Sequence, residues 1–161
     1  MDERTRRAAA ILAALIFLNL AVIWGSSTLP METSSQQSSF ITSLLIAVFG
    51  GADHAALEHI VRKCAHFCEF ASLGALSLGL TYTISKYDIR ITWSRTAVPV
   101  FGCLLAASTD EMIQIFSGRG NSVSDVMLDF SGSLTAMFIF FVVLLIAGSR
   151  HDRSTDIDDG Q

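Results

Sequence analysis

The chain sets charged side chains inside stretches that are otherwise apolar enough to cross a bilayer. Arg62, Lys63, His66 and Glu69 open one such stretch, Asp110 and Glu111 lie near the end of another, and Asp125 and Asp129 near the start of a third. A charge at the centre of an inserted helix costs about 2.5–3.5 kcal/mol. These groups must therefore face one another or a ligand, and not lipid. That requirement restricts the chain to helices that bundle.

Composition agrees. Of 161 residues, 51% are hydrophobic and 16% charged, against about 25% charged for an ordinary soluble domain. A bilayer suits such a surface, and the length is that of one domain. Only Pro30 and Pro99 are available to break helices. The reading is all-α: a bundle of four transmembrane helices over residues 8–24, 64–84, 97–116 and 123–147. The transmembrane domain occupies residues 8–148, with a basic head (1–7) and a disordered acidic tail (149–161). Arg4, Arg6 and Arg7 before an apolar run also describe a secretory signal. The run over residues 8–25 is longer than a signal core and close to the ~20 residues needed to cross, so it reads as an uncleaved span. Trp24, near its far end, suits an interfacial anchor.

Residues 25–60 form a polar connection containing Ser-Ser-Gln-Gln-Ser-Ser. Within it residues 40–49 are too short to span and read as a short interfacial or re-entrant helix between the first two spans. Asp53 is placed to cap the second helix, and Glu58 stands four residues before Arg62, the favourable order for an ion pair. Lys and Arg are absent from residues 8–61, then cluster at Lys86, Arg90 and Arg95 and again at Arg150 and Arg153. This asymmetry predicts a multi-pass protein of the cytoplasmic membrane with both termini inside. Cys64, Cys68 and Cys103 show no disulfide spacing and read as small buried residues. The formal charge of −4 is mostly tail, and no nucleic-acid partner is assigned.

Helical geometry gathers the charges into stripes. Arg62, His66, Glu69 and Leu73 share one face of the second helix with Lys63 beside it, Asp110 and Gln114 share a face of the third, and Asp125, Asp129, Gly132 and Ala136 align on the fourth. All lie within roughly 12 Å of the same interface, the outer one, so the three stripes should converge. Ala71, Ala75 and Gly79, with Gly132 and Ala136, are small at four-residue spacing and suit close helix packing. A single His–carboxylate pair would read as structural glue. A cluster of His66 with Glu69, Asp110, Glu111, Asp125 and Asp129 reads as functional, because buried ion pairs stabilise less than apolar packing. Five carboxylates face three fixed cations, Arg62, Lys63 and Arg119, so protons or a bound cation must make up the balance. The spacing matches no strong metal motif, no metal ligand is assigned and the cofactor is left unknown.

The motifs Arg-Lys-x-x-His-Phe-x-Glu-Phe from Arg62, Asp-Glu-x-x-Gln-x-Phe from Asp110, Gly118-Arg119, Ser-x-Ser-Asp-Val to Val126 and Asp129-x-x-Gly132 resemble the VanZ-like family of bacterial membrane proteins. The likeness covers about residues 19–147, and Asp129 stands where many members carry Asn. The resemblance implies a role at the cell envelope, with a link to glycopeptide (teicoplanin) susceptibility. Three functions are weighed. In the first, an outer-leaflet pocket binds an anionic envelope component, a lipid headgroup or lipid-linked cell-wall precursor, through Arg62, Lys63, Gln114, Arg119, Asp125 and Asp129. In the second, His66, Glu69, Asp110 and Glu111 perform acid–base catalysis on a headgroup. Ion- or proton-coupled transport ranks third, because the charges gather at one depth. The sequence carries no Gly-x-Ser-x-Gly elbow, His-Glu-x-x-His or P-loop.

The charge asymmetry makes a direct prediction. A cysteine introduced at Ser35 or Asn121 should react with a membrane-impermeant thiol reagent in intact cells. Labelling only after permeabilisation would invert the whole topology.

Overall fold

The computed structural model describes residues 1–28, 42–43, 53–117 and 122–158. Among them the chain forms five helices: α1 (Glu3–Thr28), α2 (His54–Ile84), α3 (Ile89–Arg95), α4 (Ala97–Phe116) and α5 (Val123–Asp158). Four of these, all but α3, are long and apolar enough to cross a membrane. The all-α bundle read from the sequence is thus the observed architecture. The short helix expected over residues 40–49 falls almost entirely outside the described residues. The short helix that is described, α3, instead sits between the second and third spans. Its N-cap Asp88 accepts from the backbone N–H groups of Arg90 and Ile91, a sequence signal that had gone unread. At the other end of the bundle Asp53 does cap α2, accepting from the Ala55 N–H at 3.1 Å. The helical backbone of α5 continues to Asp158, beyond the apolar stretch and through most of the segment read as a disordered tail.

Contacts fix the helix directions. Leu12 lies against Gly79 and Asn19 Nδ2 donates to Ser72 Oγ at 2.6 Å, so α1 and α2 are antiparallel. Along α2 and α5 residue numbers rise together, from Lys63 with Asp125 to Phe70 with Ser133 and Tyr82 with Phe140. These two helices are parallel and form the most extensive helix pair, bridged in sequence by α3 and α4. The turn into α3 holds Lys86 and Tyr87 at φ of 56° and 62°, a left-handed conformation that is uncommon for side chains other than Gly, Asn and Asp.

The buried core is small: Ile23, Phe70, Leu73, Leu78, Cys103, Ala106, Ala107 and Met137. Large apolar side chains such as Phe17, Phe101, Leu105 and Phe138 are exposed around the outside, as a lipid-facing surface requires. Cys64 and Cys68 are exposed as well, and only Cys103 is buried. The reading of all three as buried residues is corrected, because Cys64 and Cys68 sit on the outward face of α2. Trp24 also differs from expectation. It packs against the core and its Nε1 donates to the Ala106 carbonyl at 3.5 Å, so it ties α1 to α4.

Two glycines let α2 and α5 touch backbone to backbone. A Cβ at Gly132 would collide with the Phe67 carbonyl, and one at Gly74 with the Ser133 backbone. Gly79, picked out by its spacing, has only ordinary contacts near 4 Å. Gly132→Ala should therefore cost about 1–3 kcal/mol, read as a fall in melting temperature in detergent, whereas Gly79→Ala should leave it unchanged. Equal effects of the two would mean that the helices do not meet at Gly132.

Candidate polar site between the helices

The four long helices meet at one end of the bundle, where α2 and α5 begin and α1 and α4 finish. There Ser117 Oγ donates to the Ser27 carbonyl at 2.9 Å, closing α4 on α1. A few residues further in, side chains from α2, α4 and α5 converge.

Asp110, fully buried, and Glu111, 7% exposed, come from α4. Gln114, one turn later, donates from Nε2 to Asp110 Oδ2 at 2.7 Å, as their shared face predicted. Glu111 accepts at Oε1 from the Ser122 backbone N–H at 2.5 Å. It thus reaches from the end of one span to the start of the next and satisfies a donor at the α5 N-terminus. From α2 come His66 and Glu69, with Nδ1 and Oε2 3.5 Å apart. From α5 comes Asp129, 4% exposed, one donor oxygen of which lies with donor atoms of His66 and Asp110 inside a 4.8 Å group.

Lys63 Nζ donates to Asp125 Oδ1 at 2.6 Å, joining α2 to α5 at the rim of this cluster. Lys63, placed beside the stripe by helical geometry, is thereby the residue that crosses to α5. Arg62, placed on the stripe, has its Nη2 3.4 Å from His59 Nδ1 on its own helix. The expected Glu58–Arg62 pair is replaced: Glu58 lies 3.8 Å from His54. Arg119 falls outside the described residues. The structure therefore brings together His66, Glu69, Asp110, Glu111, Gln114 and Asp129, with Lys63 and Asp125 at the edge. The capping role of Glu111 and the Asn19–Ser72 bond were not read from the sequence, since both depend on which helices become neighbours.

Beside the cluster, on the outer side of α2 and α5, is a groove of about 420 Å³ lined by Ile60, Lys63, Cys64, Phe67, Cys68 and Leu128. Its walls are apolar apart from the lysine ammonium. The cluster has hydrogen-bond donors and acceptors, a titratable imidazole and a fixed cation, which suffices for ligand orientation or proton transfer.

Comparison with known families bears on the same residues. The pattern of the VanZ/LLP1 family matches residues 8–148. The chain belongs to the VanZ/LLP1 family. The match spans all four apolar helices and every residue of the polar cluster, so in this VanZ/LLP1 protein the cluster lies within the family's domain. No curated protein and no solved structure matches the chain.

The Lys63–Asp125 contact can be measured. A double-mutant cycle with Lys63→Met and Asp125→Asn, followed by thermal unfolding in detergent, should give a coupling of about 0.5–1 kcal/mol. Additive effects would show that the pair does not form.

Proposed function

We propose that this VanZ/LLP1 protein binds an anionic cell-envelope lipid, or a lipid-linked cell-wall precursor, on the groove between α2 and α5, in the outer leaflet of the cytoplasmic membrane. The observation that carries the reading is Lys63 at the edge of an otherwise apolar groove of about 420 Å³. An acyl or prenyl chain lies along Ile60, Phe67 and Leu128, and a headgroup phosphate meets the ammonium. Lys63 has three donors, and among the described residues it gives one to Asp125. The side chains of Cys64 and Cys68 are exposed at this groove, so a chain can enter from the bilayer without first opening the bundle. A link to glycopeptide susceptibility would follow if the ligand were a cell-wall precursor.

The alternative is an intramembrane enzyme, favoured by the 3.5 Å approach of His66 and Glu69 beside Asp110 and Glu111. In that version the same lipid presents its headgroup to His66 for acid–base chemistry.

Mass spectrometry of lipids retained by the protein, purified in its native bilayer, tests the binding reading. An anionic species should be enriched over the bulk membrane, and Lys63→Ala should reduce that enrichment about tenfold, the worth of one charge-assisted contact. His66→Ala should keep the bound lipid if the protein only binds. In the enzymatic version His66→Ala and Glu111→Gln accumulate unconverted lipid while membrane levels of the protein stay normal. A lipid profile equal to the bulk membrane in the wild type would sink both.

A further inference from the structure

The buried cluster behind the groove has a chemistry of its own. His66 from α2, Asp110 from α4 and Asp129 from α5 each bring one ligand-type atom to a common point, all within 4.8 Å of one another. Donor atoms around a divalent ion held at about 2.0–2.2 Å stand roughly 3–4 Å apart. Side-chain rotation of about an ångström closes the set.

A second, separate feature points to the same occupant. Glu111 is 7% exposed and its Oε1 is taken by Ser122, while its Oε2 is buried without a hydrogen-bond partner. This carboxylate lies within electrostatic reach of Asp110, Asp125 and His66. A buried carboxylate oxygen without a donor is unfavourable where water is excluded. Asp129, in turn, sits in the field of Asp110, Asp125, Glu111 and Glu69. Lys63 is engaged by Asp125 at the rim. One small multivalent cation offsets several neighbouring carboxylates at once, which no single side-chain donor does.

We propose that His66, Asp110 and Asp129 form a binding site for a divalent transition-metal ion. One imidazole with carboxylates suits Zn²⁺ or Mn²⁺. The imidazole discriminates against Mg²⁺ and Ca²⁺, which prefer all-oxygen shells. The ion would pin three spans at one point.

The test uses the full chain purified in detergent, stripped with EDTA and dialysed against Zn²⁺, Mn²⁺ or Mg²⁺ alone. The wild type should bind one Zn²⁺ or Mn²⁺ per chain in preference to Mg²⁺, and its melting temperature should rise with the ion. His66→Ala and the near-isosteric Asp129→Asn should each weaken binding at least about tenfold and abolish the thermal shift, given the losses that even outer-shell changes cause. Glu58→Gln, paired with His54 away from the cluster, should bind as the wild type does. Absence of saturable binding to the wild type overturns the site, whatever the variants do. So does binding that survives both His66→Ala and Asp129→Asn. No lipid enters the measurement, so its failure leaves the groove reading untouched.

Discussion

The close approach of α2 and α5 sets the rest of the structure. Where Gly132 lies under the Phe67 carbonyl and Gly74 under the Ser133 backbone, the helices are near enough for Ser133 Oγ to donate to the Phe70 carbonyl at 2.9 Å. Helices in lipid have little hydrophobic drive to associate, so they rely on such close packing and on polar contacts. Once this parallel pair is in register, Lys63 is opposite Asp125 and His66 is near Asp129. α4 then adds Asp110 and Glu111 from the opposite direction. The polar cluster follows from two small residues deeper in the membrane.

That dependence explains what could be read from the sequence. The four spans, the Asp53 cap and the Asp110–Gln114 bond are local, decided by hydropathy or by one helical turn, and all three appear in the structure. The convergence of three polar stripes was also legible, because lipid leaves charged groups no other inexpensive place. What escaped was pairwise. Spacing alone selected Gly79 over Gly74, and it put Arg62 on the stripe with Lys63 beside it, because each placement turns on how a neighbouring helix is rotated. Trp24 was read as an interfacial anchor for the same reason: its azimuth depended on α4. Arg119, the most distinctive residue of its turn, lies outside the described residues.

Within the cluster the side chains divide their tasks. Gln114 orients Asp110, and Glu111 uses one oxygen for the backbone of the next span. Lys63 and Asp125 form the boundary between this buried set and the apolar groove on the lipid side. A residue such as Lys63 thus belongs to two environments, and a change there alters both the seal over the carboxylates and the charge offered to the bilayer.

The unequal burial of the helices has a consequence for how the protein is made. α1 is hardly buried by its neighbours, whereas α2 and α4 are the least apolar of the four spans and the most enclosed. α1 is synthesised before the other three spans and is among the most apolar of them. α2 leaves the ribosome carrying Lys63, whose partner Asp125 on α5 does not yet exist, and α4 carrying Glu111, whose donor Ser122 comes just before α5. Their insertion is therefore incomplete as a free-energy process until α5 arrives. A chain interrupted after α4 leaves Lys63 without Asp125 and Glu111 without the Ser122 donor. Commitment to the folded bundle waits for the entry of α5.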